Sequence, residues 1–406
     1  MPRFEPFRAL RYATGVDLRA VLAPPYDVLS PDDVAELAAG DEHNIVRVDV
    51  PAPGGYQEAA DLLRQWIAEG VLVRDDQLTL TIYRMSFTDA AGTSRQINGV
   101  LGGLEVVDEG AGGVLAHERT TPRATSDRLD LLRATGVQTS PVWGLSLASG
   151  LTDALSEPGE ALGSVLVDGV RHSVERLTDP ARIGAIQRIL AEDDVLLADG
   201  HHRYSVSRTY RDERRAATGR RDTPAEYTLA FVNELIADQL SIEAIHRLYT
   251  GVTSDALMAS LASSFDIEPL EDALGPDTLA QMVELGRLVL VTAHDHSGRC
   301  PTQITGIHGH WLIPKTGAFD QLRALDGAWL EQALADSPAQ VDYQHGLSGV
   351  LDAVATGRAA AGVLIRPTSL TEITRTARHG LLMPPKSTFF TPKLRTGFVL
   401  RSAVEE

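Results

Sequence analysis

The sequence predicts a multi-lobed α/β fold of mixed α+β character, and three observations carry that expectation. A chain of 406 residues exceeds what one hydrophobic core ordinarily organises, so two or three lobes are expected. Segments with apolar residues at helical spacing alternate with short period-two runs, in an order that suits neither an all-helical nor an all-β fold. The composition, 43% hydrophobic and 23% charged, is that of a globular chain and excludes disordered and fibrous classes.

In chain order, "VLAPPYDVLSPDDVAELAA" reads as an apolar run, a Pro-Pro loop, and a helix capped by Ser30 with Pro31 at its first position and Asp33 at its third. "YQEAADLLRQWIAEG" is an amphipathic helix ending at Gly70. "LTLTIYRMSF" and "RQINGVLGGLEVV" form an antiparallel pair across the turn-rich "TDAAGTS". "LAHERTTPRATSDRLDLLRATG" leads into a short helix, "TSPVWGLSL" is a strand, and Ala148 to Val170 reads as a loop or small hairpin. Then come the helix "DPARIGAIQRILAED", the strand "DVLLA", the turn DGHHR, the helix "YSVSRTYRDERRAAT" and the strand "YTLAFVNEL". From Gly251 helices and strands alternate, and the last stretch is a strand, a helix capped by Ser369 with Glu372 as its capping-box partner, a Pro- and Lys-rich loop and a final strand. The expected divisions are an N-terminal α+β lobe over 1–180, a core segment over 181–250 and a C-terminal α/β lobe over 251–406.

Charge narrows the partners. With 37 Lys+Arg against 55 Asp+Glu the formal net charge is −18, so no general attraction to nucleic acid or to an anionic membrane is expected; a local basic pocket would suit a small anion. Cys300 is the one cysteine, which excludes an internal disulfide and a Cys-rich zinc site and fits a reducing compartment. "MPRFEPFRALRY" has charges and prolines where a secretory signal needs an apolar run, and nowhere do 18 or so apolar residues run together. A cytoplasmic, non-membrane protein is expected, with a homodimer left open.

Chemistry concentrates in "VLLADGHHRY". A strand running straight into a helix aims the first-turn amides at whatever lies beyond the strand end, which makes an anion site. Gly200 allows close backbone approach, His201, His202 and Arg203 add donors, and Asp199 is placed to hold magnesium or orient a histidine. Histidines that merely satisfy nearby carbonyls are the bland alternative, and five chemically active residues in a row argue against it.

In a second cluster, "HERTTPRATSDR", His117 and Glu118 stand beside Arg119, Thr120, Thr121, Arg123 and Arg128. Glu118 suits a general base there and the arginines suit charge neutralisation; a solvated loop of mutually paired charges is the alternative. "MPPKSTFFTPK" offers Lys386, Ser387, Thr388 and Lys393 as a phosphate lid or a plain basic turn. Asp27 in "PPYD" is a metal or substrate contact, or a turn acid. The pairs His294, His296 and His308, His310 tempt a metal reading, but no carboxylate pattern completes a site. Walker-type phosphate loops, nucleophile elbows, HExxH and GxGxxG after a strand are all absent.

Taken in order, "PPYDVLS", "HERT", "SPVWGL", "ADGHHRY", "FVNE", "IHRL", "RPTS" and "MPPKSTFFTPKL" resemble the bacterial family catalogued as domain of unknown function 1015, over nearly the entire chain. The DGHHR segment is also similar to the phosphate-binding box of the ParB and sulfiredoxin superfamily, and to the Asp-Gly-His-x-Arg of free-serine kinases. That resemblance implies a ParB/sulfiredoxin-like core around the strand-DGHHR-helix unit. It further implies that Asp199, Gly200, His201, His202 and Arg203 bind the phosphates of ATP or ADP with Mg2+, and that the phosphoryl group passes to a small hydroxyl such as that of L-serine.

Arg123, Lys386 and Ser387 join the phosphate contacts on this reading, and Tyr26, Asp27 and Arg128 contact the acceptor. Glu118, His117, Asp199 and His202 carry the catalytic roles, with Asp199 the metal ligand. Glu118 is the nearest base candidate, with Asp27 and Glu36 in reserve. A nucleotide-binding regulator without turnover uses the same box, and a metal-dependent hydrolase would instead centre on the histidines.

Overall fold

The computed structural model describes residues 1–89, 92–118, 122–293, 306–384 and 386–405, with the backbone alone for 122–125. The chain divides into two compact units, one of Met1–Ser241, Thr374–Leu382 and Phe390–Glu406, the other of Ile242–Ile373 and Met383–Phe389.

The first unit is built on a nine-stranded mixed sheet. From one edge its order is Val114–Leu115, Val195–Asp199, Val142–Ser146, Tyr227–Glu234, Ser94–Glu105, Leu80–Thr88, Val170–Leu177 and Glu160–Val167, with Phe4–Glu5 pairing Ser94–Glu105. Leu80–Thr88 and Ser94–Glu105 form the antiparallel pair their alternation predicts, with Thr81 opposite Leu101 and Thr88 opposite Ser94. The sheet's central residues are fully buried because helices cover it: Ile183, Ile186 and Leu190 of the helix Pro180–Leu190 pack with Leu80, Val100, Val142, Val195 and Val232. Asp179 caps that helix and Pro180 occupies its first turn, where a missing N–H costs nothing.

The Ser30 capping box is present in full, with Ser30 Oγ accepting from Asp33 N and the Asp33 carboxylate accepting from Ser30 N. The stretch from Ala148 to Val170, read as a loop or small hairpin, holds the short helix Leu151–Ala154 and the strand Glu160–Val167, which forms a hairpin with Val170–Leu177 through the turn at Asp168 and Gly169. Both turn residues take positive φ, 53° and 75°, the conformation an Asp-Gly hairpin turn requires. Gly163 and mostly outward-facing side chains blur the alternation of the first strand.

The second unit carries a six-stranded antiparallel sheet, in the order Phe265–Pro269, Ile307–Pro314, Leu288–Ala293, Ala361–Leu364, Ile245–Thr250, Gln340–His345. Leu288 and Leu290 enter one apolar cluster while Val289 and Val291 enter another, so the strand is buried on both faces and reads as an unbroken apolar run. Among the described residues no helix is long and apolar enough to cross a membrane.

Candidate functional site

Four buried residues, Val195 to Ala198, carry the chain to Asp199 at the strand end. Gly200 then turns through φ 83° and the helix His201–Thr218 begins. Only a residue without a Cβ takes that left-handed turn without strain. A Cβ at Gly200 would also lie 3.1 Å from the Arg203 guanidinium carbon, so that side chain would have to give.

Arg203 folds back over the turn. Its Nη2 donates to Asp199 Oδ2 at 2.8 Å, while Nη1 donates to Ser140 Oγ at 2.9 Å and to the Pro141 carbonyl. The other Asp199 oxygen, Oδ1, accepts from Lys393 Nζ at 3.1 Å. Burial alone would push the Asp199 carboxyl up, but Lys393 and Arg203 outweigh it and hold the group ionised, well below the usual carboxylate range. Arg203 and Lys393 thus both bond the Asp199 carboxylate at a helix N-terminus, whose own field is positive.

On one side of this turn lies a cavity of about 50 Å³, lined among others by Tyr26, Asp49, Arg128, Thr139, Ser140 and Arg203. The Arg128 guanidinium sits 4.4 Å from the Tyr26 ring centroid, and its nitrogens bond Asp127 Oδ2 and the Asp49 carbonyl. Burial pushes the Tyr26 phenol up to about 12, so it is protonated at neutral pH. Asp27, next in the same short turn, is exposed. Burial works against the charge on Arg203, and the carboxylates of Asp199 and then Asp27 restore it.

On the other side a cavity of about 310 Å³ is lined by Glu118, His201, Tyr204, Arg208, Val114 and Leu382, among others. Val114–Leu115 runs parallel to Val195–Leu196, so the chain after it reaches the same strand end. This brings the His117 ring to 4.8 Å from His201, edge-on at 78°. His117 is 0% exposed and burial pushes it down to about 4; His201 also falls well below its ordinary value, through burial and then the neighbouring His117. Both rings are neutral at pH 7.

The structure thus gathers Asp199, Gly200, His201, Arg203, Tyr26 and Arg128 about one turn, with Asp27 beside Tyr26, Glu118 on the far side and His202 half-buried in the first helical turn. The side chain of Arg123 and all of Arg119, Thr120 and Thr121 lie outside the described residues. Lys386 and Ser387 belong to the second unit, where the Lys386 carbonyl accepts from Arg247 and Ser387 Oγ donates to the Pro384 carbonyl.

Each oxygen of Asp199, the expected magnesium ligand, accepts from a cation, and among the described residues no three His, Cys, Asp or Glu side chains form a metal-binding group. His117, expected to be catalytic, is wholly enclosed beside His201. Of the histidine pairs, His294 and His296 lie outside the described residues, and His308 and His310 stand on the strand Ile307–Pro314 of the second unit.

Sequence reasoning missed Ser140 and Asp49. Ser140 was in view in "SPVWGL", and the Pro that follows was the one signal of a fixed turn. Asp49 had none, since it lies in an apolar stretch before "VPAPGG".

A family model described as "Protein of unknown function (DUF1015)" matches residues 4–327. No curated protein sequence matches the chain. Among solved structures, a free serine kinase in complex with AMP is similar at 10% identity and TM-score 0.39, covering 72% of this chain and 88% of that one. A variant of a free serine kinase in complex with ADP shows 9% identity, TM-score 0.40 and coverages of 72% and 89%. SbnI with a C-terminal truncation, from Staphylococcus aureus, shows 12% identity, TM-score 0.40 and coverages of 75% and 88%.

Proposed function

We propose a phosphoryl-transfer function for this chain, which belongs to the family of proteins of unknown function DUF1015: a kinase that moves a phosphoryl group from ATP or ADP to a small hydroxyl compound, with L-serine the first candidate. One observation carries the reading, namely Lys393 and Arg203 sharing the single carboxylate of Asp199 at the start of the helix His201–Thr218. The two cationic side chains and the first-turn amides together favour an anion with several oxygens. The resemblance of Asp199-Gly200-His201-His202-Arg203 to a nucleotide phosphate box supports a nucleoside polyphosphate as that anion.

Phosphoryl transfer asks a protein mainly for positioning and charge neutralisation. Lys393 and Arg203 supply the neutralisation, and Asp199 fixes where they stand. The larger cavity, with Glu118, His201, Tyr204 and Leu382, has room for the nucleoside. The smaller one, with Tyr26 and Arg128, takes the acceptor. Asp27, next to Tyr26 in the same short turn, is the base for an acceptor there on this reading and takes the proton of the attacking hydroxyl.

A regulator that binds nucleotide without turnover is favoured by one observation: both terminal nitrogens of Arg203 are already engaged by Asp199, Ser140 and Pro141. The test is phosphorus NMR on the purified chain with ATP or ADP, magnesium and L-serine. A phosphomonoester signal that requires the acceptor supports the kinase. Intact nucleotide alongside a nucleotide-dependent rise in melting temperature would favour the regulator.

A further inference from the structure

The smaller cavity contains two buried polar atoms without a hydrogen-bond partner among the described residues, and they are of opposite character. Asp49 is 2% exposed; its Oδ1 accepts from Thr139 Oγ1 at 2.6 Å, whereas Oδ2 accepts from nothing. Arg203 spends both terminal nitrogens, and its Nε donates to nothing. Buried groups of this kind are rarely left unmet, and a carboxylate oxygen least of all. Arg128 does not meet Oδ2 either: its approach to Asp49 is to Oδ1, at 3.7 Å.

The cavity's volume, about 50 Å³, holds roughly three to five waters at the 10–15 Å³ each requires, which suits a small compound. A nucleotide is far too large. The walls add the hydroxyls of Ser140, Thr139 and Thr228 to the unmet acceptor and donor, with Tyr26 and Arg128 closing one side.

We infer that this cavity recognises a small compound bearing a primary ammonium beside an anionic group, with Asp49 Oδ2 accepting from the ammonium and Arg203 Nε donating to the anion, so that Asp49 is the residue that selects an amine over a hydroxyl. The inference rests on the acceptor assignment made above and narrows it to a substrate class. An ammonium satisfies Asp49 with a charge-assisted bond, whereas a neutral hydroxyl in its place leaves most of the cost of the buried carboxylate uncompensated.

Isothermal titration of the full chain with three probes tests this: L-serine, glycerate, which keeps the skeleton and replaces the ammonium by a hydroxyl, and ethanolamine, which lacks the carboxylate. L-serine should bind at least tenfold more tightly than either of the others. In Asp49→Asn, which keeps the bond to Thr139 and loses the charge, the preference for L-serine over glycerate should fall to less than threefold, while ADP still raises the melting temperature and so reports an intact fold. Equal binding of serine and glycerate, an unchanged preference in Asp49→Asn, or no binding of any probe to the wild-type chain overturns the inference even where ADP binds and the phosphoryl-transfer reading survives. An Asp49-dependent preference in a chain that ADP and ATP leave untouched would keep the inference and remove that reading.

Discussion

Lys393 and Asp199 stand 194 positions apart in the chain and meet at 3.1 Å, so the last segment of the first unit completes a site opened at a strand end in its middle. Each oxygen of Asp199 serves one cation, which fixes where both cations stand.

Replacing Lys393 by Met keeps the bulk of the side chain and removes its charge. Nucleotide affinity should fall at least tenfold, and the lost charge-assisted bond should cost the fold on the order of 1.5–3 kcal/mol. Titration of ADP and urea unfolding read the two effects separately. A variant that loses stability but binds ADP as before would leave Lys393 a structural tie.

Arg203→Lys is the sharper probe of the turn. A lysine carries the charge but cannot bond Asp199, Ser140 and the Pro141 carbonyl at once, as the guanidinium fork does. If the fork positions charge for transfer, kcat should drop roughly a hundredfold, of the order found for losing one preorganised donor, with KM for nucleotide changing far less. A loss of nucleotide affinity with kcat unchanged would mean that Arg203 only binds.

How much of this was legible follows from where each contact is encoded. The strand, the glycine turn and the helix at Val195–Thr218 are local, and hydrophobic spacing with Asp199-Gly200 marks them directly. Tyr26 and Arg128 were marked by chemistry alone, and the fold brings them to the same cavity as Arg203. Lys393 was visible only as part of a basic loop with Lys386, yet the two end in different units. Nothing local separates them, because the partner that defines Lys393 lies on another strand. Asp49 gave no signal at all: its meaning is its burial, which is a property of the packed fold.

Acid should unfold the first unit over a defined window. His117 and His172, 0% and 1% exposed, are each pushed down by burial to about 4 from an ordinary value of 6.5. In the unfolded chain they take up protons between those values and in the folded unit they do not, and buried His201, also pushed down, adds to the loss, so stability falls as pH drops from about 6.5 through about 4. The slope should be roughly 1.4 kcal/mol per pH unit for each histidine. The depressed carboxyl of Asp199 acts only below this range. His172 Nδ1 lies 2.8 Å from the Tyr83 hydroxyl, and His172→Gln offers that hydroxyl an amide acceptor without a titrating group. Urea unfolding at a series of pH values should show one histidine's share of the slope gone; an unchanged slope would mean that His172 titrates normally.

Gly200 and Gly219 bracket the helix His201–Thr218 and allow strain to be separated from positioning. Both are left-handed, with φ of 83° and 68°. An alanine at either position pays the left-handed penalty, roughly 1–2 kcal/mol. At Gly219 the new methyl meets nothing within 4 Å, so Gly219→Ala should lose that stability and keep full nucleotide binding. At Gly200 the methyl lies 3.1 Å from the guanidinium carbon of Arg203, so the side chain must yield and its hold on Asp199 loosens. Gly200→Ala should therefore lose more stability than Gly219→Ala and, unlike it, at least tenfold in ADP affinity. Matching behaviour of the two variants in both measurements would show that the folded-back position of Arg203 contributes nothing to binding, and with it the anion site would lose its main support.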